Sequence, residues 1–220
     1  MIIRKTRPEE GKRVNTLFAI AFEQPMENGP GEEPGVTNWG AFEGDTMFST
    51  FAVTDFTQFF DGNQVKMGGI GGVATLPSHR RKGGIRGIFQ AALTDMYENG
   101  YDFSYLYPFS TAYYRKFGYE NCVNRSLVTV DLGLLSPRKA ETVSVLAELG
   151  SDLRGPIREL DRVWERTYNM AVCHPEKDYG WVVKADPAGK QNLLYVCFDT
   201  DRKPLAYTQY HLENQTDGRN

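Results

Sequence analysis

Apolar residues near the start of the chain predict a short strand followed by a helix. The strand begins at Ile2, Ile3 and Arg4. The helix is predicted because apolar residues recur on one face, after a first turn that holds acidic residues. That face is formed by Val14, Leu17, Phe18, Ile20 and Ala21. The next segment, QPMENGPGEEPGV, holds too many glycines and prolines for a regular element and is predicted to form a loop.

Three strand-like runs follow this loop. TNWGAFEG and TMFSTFAV are joined across Gly44 and Asp45, and the pair predicts a β-hairpin. The third run, QVKMGGIGGVATLP, is stopped by Pro77. These runs supply the predicted strands of one sheet.

Helices and strands alternate after the third run. A helix is predicted over residues 84–99, ended by Gly100, and it is followed by a buried-looking strand, FSYLYPF. The segment STAYYRKFG predicts a second helix, with Ser110 as N-cap and Gly118 as its stop. The alternating segment SLVTVDL then predicts a strand. The order β α β β β α β α β indicates the α/β fold class, with a mixed (α+β) sheet flanked by helices.

The pattern changes near residue 136. SPRKAETVSVLAELG leads to a predicted helix over residues 156–170, then to WVVKADP and to a hairpin, LLYVCFDTDRKPLAYTQYHLE. This resembles the opening half of another mixed unit, without a second glycine-rich junction. We therefore expect one domain over residues 1–133 and a second unit over residues 134–220, which is either incomplete or part of a fragment of a longer chain.

Composition and charge narrow the function classes. The chain of 220 residues is 40% hydrophobic and 24% charged, which is typical of a soluble globular protein. Its net charge of −3 argues against a general nucleic-acid surface, so any basic site must be local. It has neither a signal segment nor an apolar run of about 20 residues, which predicts a cytoplasmic protein without a membrane partner. Cys122, Cys173 and Cys197 form no CxxC pair, which predicts a reducing compartment and no metal.

One local exception to the acidic character is HRRKGGIR, at residues 79–86, where a strand meets a helix. A helix N-terminus leaves about four N–H groups unpaired and attracts anions. Gly83 and Gly84 would let a phosphate approach those groups. Charge for a polyphosphate would come from Arg80, Arg81, Lys82 and Arg86. From this segment alone, a solvated basic turn fits equally well.

Two common nucleotide-binding motifs are disfavoured by spacing. The chain contains no GxxxxGK[ST]. Gly69, Gly71 and Gly72 are close together, but they lie inside the third run and not at the start of a helix. A P-loop or a dinucleotide-binding fold is therefore not expected.

The element order, the basic junction and the later segment STAYYRKFGYE together resemble the GNAT acetyltransferases over residues 1–133. In that acyl-CoA-dependent family the pyrophosphate loop has the pattern R-x-x-G-x-[GA]. Arg80 and Gly83 match it, whereas Ile85 stands where a small residue is usual. VATLPSHRRKGGIR with YLYPFSTAYYRKFGYE is similar to the Eis-type branch, which tolerates a bulky aliphatic residue there. That branch joins two GNAT-like units to a further domain and typically assembles as a homo-oligomer. The resemblance implies a second unit after residue 136 and a homo-oligomer, although this chain is too short for the whole pattern.

The resemblance also implies acetyl-CoA as co-substrate and a set of site residues. Backbone groups of the fourth strand would hold the thioester and the pantetheine arm, at Val73, Ala74 and Thr75. The pyrophosphate would be held by Arg80, Arg81, Lys82, Gly83, Gly84, Ile85 and Arg86. The proton donor of the family aligns with Tyr114, and a tyrosine is protonated at neutral pH. Tyr113 and Tyr119 compete for that role, and a buried core aromatic is the alternative for Tyr114.

The acceptor side is less determined by the sequence. Glu23 could line an amine pocket and Trp39 and Phe42 could form its wall, although a surface acid and core aromatics fit these positions as well. No general base can be identified, and nothing supports that role for a carboxylate at Asn220. His79 is interpreted as a loop residue. We therefore expect an N-acetyltransferase for a primary amine of a small molecule or peptide, or alternatively a CoA-binding module without efficient turnover.

Overall fold

The computed structural model describes residues 1–23, 34–124, 126–134, 143–146, 152–175, 179 and 192–211. The chain divides into two compact units. Unit 1 comprises residues 1–58 and 63–126, and unit 2 comprises residues 59–62 and 127–220. The division expected between residues 133 and 134 stays a prediction.

Unit 1 is built on a mixed sheet. Its strands are β1 (Ile2–Lys5), β2 (Val36–Glu43), β3 (Thr46–Phe60), β4 (Asn63–Thr75) and β5 (Phe103–Leu106). They lie in the order β1-β2-β3-β4-β5, with β2 antiparallel to β1 and β3, and with β5 parallel to β4. The turn between β2 and β3 falls at Gly44 and Asp45, as the sequence predicts.

The helices of unit 1 follow their predicted signals. They are α1 (Gly11–Phe22), α2 (Gly84–Glu98) and the short α3 (Thr111–Tyr114), which continues as a 3-10 turn. The Ser110 hydroxyl caps α3 by accepting a hydrogen bond from the Tyr113 N–H at 3.3 Å. Gly118 ends the segment with a φ of 90°. The caps therefore set both ends of this helix.

Helices cover both faces of the sheet, and each face has its own core. On one face α2 packs through residues that include Ile88, Phe89 and Ala92 against Phe51 and Ile70. On the other face α1 packs against β-strand residues that include Phe42, Met47 and Ala74. The α1 residues buried there are Val14, Leu17 and Phe18. Ile20 was expected on the same face but is 46% exposed, because it lies on the outer side of the helix.

Two predicted strands of unit 1 need correction. SLVTVDL is not a strand: residues 126–131 have no regular secondary structure, and Leu127 is 92% exposed. Alternating apolar residues form a strand only beside a partner, and no described strand pairs with this segment. FSYLYPF does contain a strand, but it ends at Leu106 and is only half-buried, and Tyr107 beyond it is 96% exposed.

The described part of unit 2 contains a smaller antiparallel sheet. Its strands are β6 (Val143–Leu146), β8 (Asn192–Phe198) and β9 (Pro204–His211), in the order β6-β8-β9, with α4 (Arg154–Thr167) and β7 (Ala171–Val172) between β6 and β8 in the chain. The predicted hairpin is thereby confirmed, and the predicted helix ends at Thr167 rather than Met170.

A compact core stabilises unit 2. Leu153, Ile157, Tyr179, Leu194 and Val196 are buried against one another. β7 pairs with the end of β3, where the Met170 N–H donates to the Phe59 carbonyl at 2.8 Å. The predicted segment WVVKADP, the polar tail and most of SPRKAETVSVLAELG lie outside the described residues.

Candidate functional site

The second half of β4 has an open edge. The parallel pairing of β4 with β5 runs from Met67 to Ile70, opposite Phe103 to Leu106, and no described strand continues it beside Gly71–Thr75. Gly72 has a left-handed backbone with a φ of 65°, and a Cβ there would lie 2.5 Å from the Phe18 ring. A glycine in this conformation bends a strand. Because β5 ends opposite Ile70, backbone groups of β4 beyond this point are available to a ligand.

The chain reaches α2 through a tight basic loop. A 3-10 turn at Pro77–His79 follows β4, and Arg81 and Gly83 both have positive φ, of 67° and 81°. The N–H groups of Gly84, Ile85 and Arg86 donate to no described residue. Because α2 extends over 15 residues, these groups stand at the positive end of a full helix dipole. The loop and the first turn of α2 could therefore hold an anion.

Gly83 and Gly84 have different structural roles at the junction. A Cβ at Gly83 would meet nothing within 4 Å, so this residue leaves space beside the helix N-terminus. A Cβ at Gly84 would instead lie 2.5 Å from the Ser49 Oγ and 2.6 Å from the Phe48 ring. The expectation that both glycines open the way for a phosphate is therefore wrong for Gly84, which allows α2 to approach β3.

Ser49 connects the end of β4 to the start of α2. Its Oγ lies 2.9 Å from the Thr75 Oγ1, and it is 2.5 Å from the position that a Cβ at Gly84 would occupy. Ser49 itself is fully buried. The open edge of β4 and the N-terminus of α2 are thus held side by side through one small polar side chain.

The cations of the loop are unequal. Arg80, Arg81 and Arg86 are exposed. The Lys82 Nζ lies 3.4 Å from the Glu43 Oε2, and the His79 Nε2 lies 3.5 Å from the same oxygen. The arginines therefore present their charge to solvent, whereas Glu43 offsets part of the charge of Lys82.

The other expected cofactor residues are divided between core and surface. The Ile85 side chain is buried in the α2 core, so only its backbone can reach a ligand. The side chains of Val73 and Ala74 belong to opposite faces of the sheet, since Val73 packs on the α2 core and Ala74 on the α1 core. Thr75 uses its hydroxyl for Ser49. Any contact of β4 with a ligand at Val73 and Ala74 is thus left to backbone groups.

Tyr114, the last residue of α3, lies in a cluster of aromatic side chains. It is 3% exposed, and its ring centroid is 5.3 Å from Phe109 and 6.1 Å from Phe89. Burial, with a smaller contribution from Tyr113, raises the pKa of Tyr114 to about 12. No hydrogen bond to its hydroxyl contributes to this pKa. Tyr114 thus holds its proton firmly and has no protein partner for it in the described part of the chain.

The neighbouring tyrosines differ from Tyr114 in their surroundings. The Tyr119 hydroxyl lies 2.6 Å from the Ser104 Oγ, and burial raises the pKa of Tyr119 to about 12. Burial also raises the pKa of Tyr113, and the positive charge of Arg86 opposes that shift. Arg86 at the start of α2 therefore lies near enough to Tyr113 of α3 to affect its ionisation.

The expected acceptor residues do not form a common surface. Trp39 and Phe42 are buried in the two different cores of unit 1. The Arg4 guanidinium also covers the Phe42 ring at 3.9 Å. Glu23 is exposed at the C-terminus of α1 with a φ of 55°. Both aromatic rings thus have the core packing that the sequence also allowed, and Asn220 lies outside the described residues.

Sequence reasoning missed Ser49 and Glu43. Ser49 is a polar position inside an apolar strand, TMFSTFAV, and that contrast was the available signal. Glu43 ends β2 and is far from the loop in sequence, so only the fold shows that it faces Lys82.

No group of three or more His, Cys, Asp or Glu side chains among the described residues could hold a metal ion. None of the helices in the described part of the chain is long and apolar enough to cross a membrane.

Comparison with known proteins points to one family. The model of the acetyltransferase (GNAT) domain matches residues 2–122. A crystal structure from Enterococcus faecalis, described as a probable N-acyltransferase, is similar with a TM-score of 0.74 and 21% identity, over 96% of this chain and 55% of that chain. A GCN5-related N-acetyltransferase from Anabaena variabilis gives a TM-score of 0.73 at 17% identity, over 99% of this chain and 56% of that one.

An Eis protein from Mycobacterium abscessus is similar as well. It gives a TM-score of 0.65 at 21% identity, over 96% of this chain and 53% of that chain. At these identities the likeness shows the fold, and the chain spans little more than half the length of the three proteins. Curated proteins include no significant match to the sequence.

Proposed function

The chain belongs to the GNAT acetyltransferase family, and we propose on that basis that it transfers the acetyl group of acetyl-CoA to a primary amine of a small molecule or peptide. The observation that carries the proposal is the position of Ser49, which joins the open edge of β4 to the N-terminus of α2. A thioester bound along β4 would have its diphosphate within reach of the α2 N-terminus. One extended ligand could then use both features.

Each part of the cofactor has a proposed partner. Backbone groups at Val73, Ala74 and Thr75 would hold the thioester and the pantetheine arm, since this stretch of β4 is not paired with β5. The diphosphate would lie on the N–H groups of Gly84, Ile85 and Arg86, beside the space that Gly83 leaves open. Most of the positive charge would come from Arg80, Arg81 and Arg86, because Glu43 offsets part of the charge of Lys82.

The transfer step needs one proton at the sulfur. The amine nitrogen would attack the thioester carbonyl carbon, so that an N–C bond forms, the C–S bond breaks and the amine loses a proton to solvent or to a base. The CoA thiolate would take its proton from the Tyr114 hydroxyl. That role needs a protonated phenol, and Tyr114, with a pKa of about 12, is protonated at neutral pH.

The acceptor amine is proposed to bind beside β4, and Glu23 is the candidate residue for that site. Trp39 and Phe42 are left out of it because both are buried in the cores. Similarity in fold to the Eis protein of Mycobacterium abscessus, together with the HRRKGGIR and YYRKFGY segments, supports an Eis-type enzyme that acts in the cytoplasm as a homo-oligomer.

Acetyl-CoA turnover tests the proposal directly. The full chain is mixed with acetyl-CoA and a panel of primary amines, and free CoA thiol is followed together with the mass of the acetylated amine. We expect thiol release that requires both substrates. Calorimetry with CoA on the same sample separates the alternatives: binding without turnover of any amine would favour a CoA-binding module, and the lack of binding would contradict both functions.

A further inference from the structure

We infer that Ser49 is a positioning residue for the cofactor: it orients the Thr75 hydroxyl so that this hydroxyl donates a hydrogen bond to the diphosphate of acetyl-CoA. The inference rests on the proposed acetyl-transfer function and adds a side-chain contact to the backbone contacts proposed there. Ser49 lies on β3, and Thr75 is the last residue of β4. Their Oγ and Oγ1 atoms are 2.9 Å apart, so the two hydroxyls share one hydrogen bond.

Burial of Ser49 decides which of the two hydroxyls donates. Ser49 is fully buried, and Thr75 is the only described hydrogen-bond partner of its Oγ. If Thr75 donated, the Ser49 proton would be left without an acceptor inside the core, which costs the desolvation of that proton. The favoured arrangement therefore has the Ser49 hydroxyl as donor and the Thr75 Oγ1 as acceptor. In that arrangement the Thr75 proton can be donated to another group.

The surroundings of Thr75 leave room for a ligand acceptor. Thr75 is half-buried, in contrast to Ser49, and it lies beyond Ile70, where the pairing of β4 with β5 ends. Among the described residues, Ser49 alone is hydrogen-bonded to the Thr75 hydroxyl. An oxygen of a ligand bound along β4 would therefore complete the hydrogen bonding of this side chain.

The contacts of Ser49 place the Thr75 hydroxyl near the N-terminus of α2. The Ser49 Oγ is 2.9 Å from the Thr75 Oγ1 and 2.5 Å from the position that a Cβ at Gly84 would occupy. Gly84 is the first residue of α2, so the hydroxyl lies beside the N–H groups proposed to hold the diphosphate. A phosphate oxygen only accepts hydrogen bonds, and a hydroxyl held as a donor complements it.

The contribution of Ser49 to cofactor binding is indirect. A threonine hydroxyl rotates about its C–O bond and can donate to a nearby backbone carbonyl instead of a ligand. The Ser49 proton occupies one side of the Thr75 Oγ1 and so directs the Thr75 proton away from β3. Because Ser49 acts only through Thr75, its removal should have no further effect once the Thr75 hydroxyl is absent.

A double-mutant cycle with S49A and T75V in the full chain tests this inference. T75V removes the hydroxyl and keeps a β-branched side chain of similar shape. By calorimetry with CoA we expect T75V to raise the Kd about tenfold and S49A about threefold, and the double variant to match T75V. The losses should appear in KM for acetyl-CoA far more than in kcat, since the hydroxyl contacts the diphosphate and not the thioester. A double variant with a loss of about 30-fold would overturn the inference, because Ser49 would then act independently of Thr75.

T50V is the matched control for a purely structural effect. Thr50 is the neighbour of Ser49 on β3, is fully buried, and donates its hydroxyl proton to the Trp39 carbonyl at 2.7 Å. T50V should therefore lower the free energy of unfolding in urea, while the Kd for CoA changes less than about twofold. Equal weakening of CoA binding in T50V and S49A would overturn the inference, because it would indicate a general loosening of β3.

Binding of 3′-phospho-ADP identifies the part of the cofactor that Thr75 contacts. This probe keeps the diphosphate of CoA and lacks the pantetheine arm, so we expect T75V to weaken its binding by about the same factor. An unchanged affinity would assign the contact to the pantetheine arm and overturn the inference. If the parent chain binds CoA and acetylates amines but T75V binds CoA equally well, only the role of Ser49 and Thr75 is overturned. A parent chain that does not bind CoA would contradict the proposed function as well.

Discussion

At the scale of single residues, Tyr114 illustrates the two effects of burial on a proton donor: the phenol stays neutral over a wide pH range, but it becomes a weaker acid. A phenol that protonates a thiolate must keep its proton until the C–S bond breaks. Desolvation raises the pKa of Tyr114 to about 12, because the phenolate would lose its hydration inside the aromatic cluster. Tyr119 has a similarly raised pKa, but its hydroxyl is already engaged by Ser104. Availability of the hydroxyl, more than its pKa, therefore distinguishes the two tyrosines.

Replacing Tyr114 by phenylalanine should reduce the acetyl-transfer rate without weakening cofactor binding. We expect kcat to fall by about 100-fold, a typical contribution of a positioned acid, while the Kd for CoA changes less than about twofold. The Y119F variant removes the hydrogen bond to Ser104. It should mainly lower the free energy of unfolding and have a smaller effect on kcat than Y114F. Steady-state kinetics and calorimetry measure both effects, and a Y114F enzyme with the parental kcat would refute the assignment.

The pH profile gives a second test of the same proton. Because the pKa of Tyr114 is raised to about 12, the phenol stays neutral from acidic pH through pH 10, and kcat/KM should rise with pH as the amine loses its proton. No downturn is expected below about pH 11. A loss of activity near pH 10 that is absent in Y114F would mean that Tyr114 ionises as an ordinary exposed phenol.

Lys82 and Arg80 should contribute unequally to cofactor binding. Lys82 shares its charge with Glu43, at 3.4 Å, whereas Arg80 is exposed in the same loop. We expect R80Q to raise the Kd for CoA by about tenfold and K82Q by about threefold at most, since charged phosphate contacts are worth about 1 to 3 kcal/mol. Titration of dephospho-CoA alongside CoA shows which phosphate is affected. A larger effect of K82Q would show that Lys82 leaves Glu43 when the cofactor binds.

At the scale of elements, the N-terminus of α2 depends on Gly83. Gly83 and Gly100 have similar backbones, with φ of 81° and 71°, and a Cβ at either would meet nothing within 4 Å. The G83A and G100A variants should therefore lose a similar free energy of unfolding, about 1 kcal/mol, from left-handed alanine. Only G83A should also raise the Kd for CoA, by about tenfold, because its methyl group fills the space beside the helix N–H groups.

Urea unfolding and CoA titration of the two variants form a matched pair. Equal CoA affinities in G83A and G100A would mean that the open space at Gly83 is not used by the cofactor. A G83A variant that loses far more stability than G100A would instead indicate a structural role for this glycine.

Local signals explain which elements could be predicted from the sequence. The glycine stops, the Ser110 cap and the turn at Gly44 act over a few residues, so the bounds of α2 and α3 and the β2–β3 hairpin were predictable. SLVTVDL has the alternation of a strand, but pairing depends on a neighbour that the alternation itself does not reveal. The site shows the same limit. The basic loop is contiguous and could be found, whereas Ser49 and Glu43 reach it only through the pairing of β2 and β3.

At the scale of the whole molecule, segments far apart in the chain are joined by a few polar contacts. In unit 2, the Asn169 side chain brackets Asp61, although the two are 108 positions apart. Its Oδ1 accepts from the Asp61 N–H at 2.8 Å, and its Nδ2 donates to the Asp61 Oδ1 at 2.8 Å. This pair fixes the turn at residues 61 and 62 to the segment that precedes β7. Contacts between residues so far apart in the chain leave no periodic pattern in the sequence, so they cannot be predicted from periodicity.

Substitution of Asn169 should separate the hydrogen bonds from the charge at this turn. N169A should lower the free energy of unfolding by about 1 kcal/mol, since the bonds are exposed to solvent. N169D keeps an acceptor for the Asp61 N–H but places a second carboxylate against Asp61. Repulsion raises the pKa of one acid in the folded state above its unfolded value, so N169D should match N169A near pH 3 and become less stable than N169A as the pH rises to 7. Urea unfolding at several pH values measures this, with unchanged CoA affinity in both variants as the control. A difference between the two variants that does not depend on pH would show that Asp61 and residue 169 do not face each other.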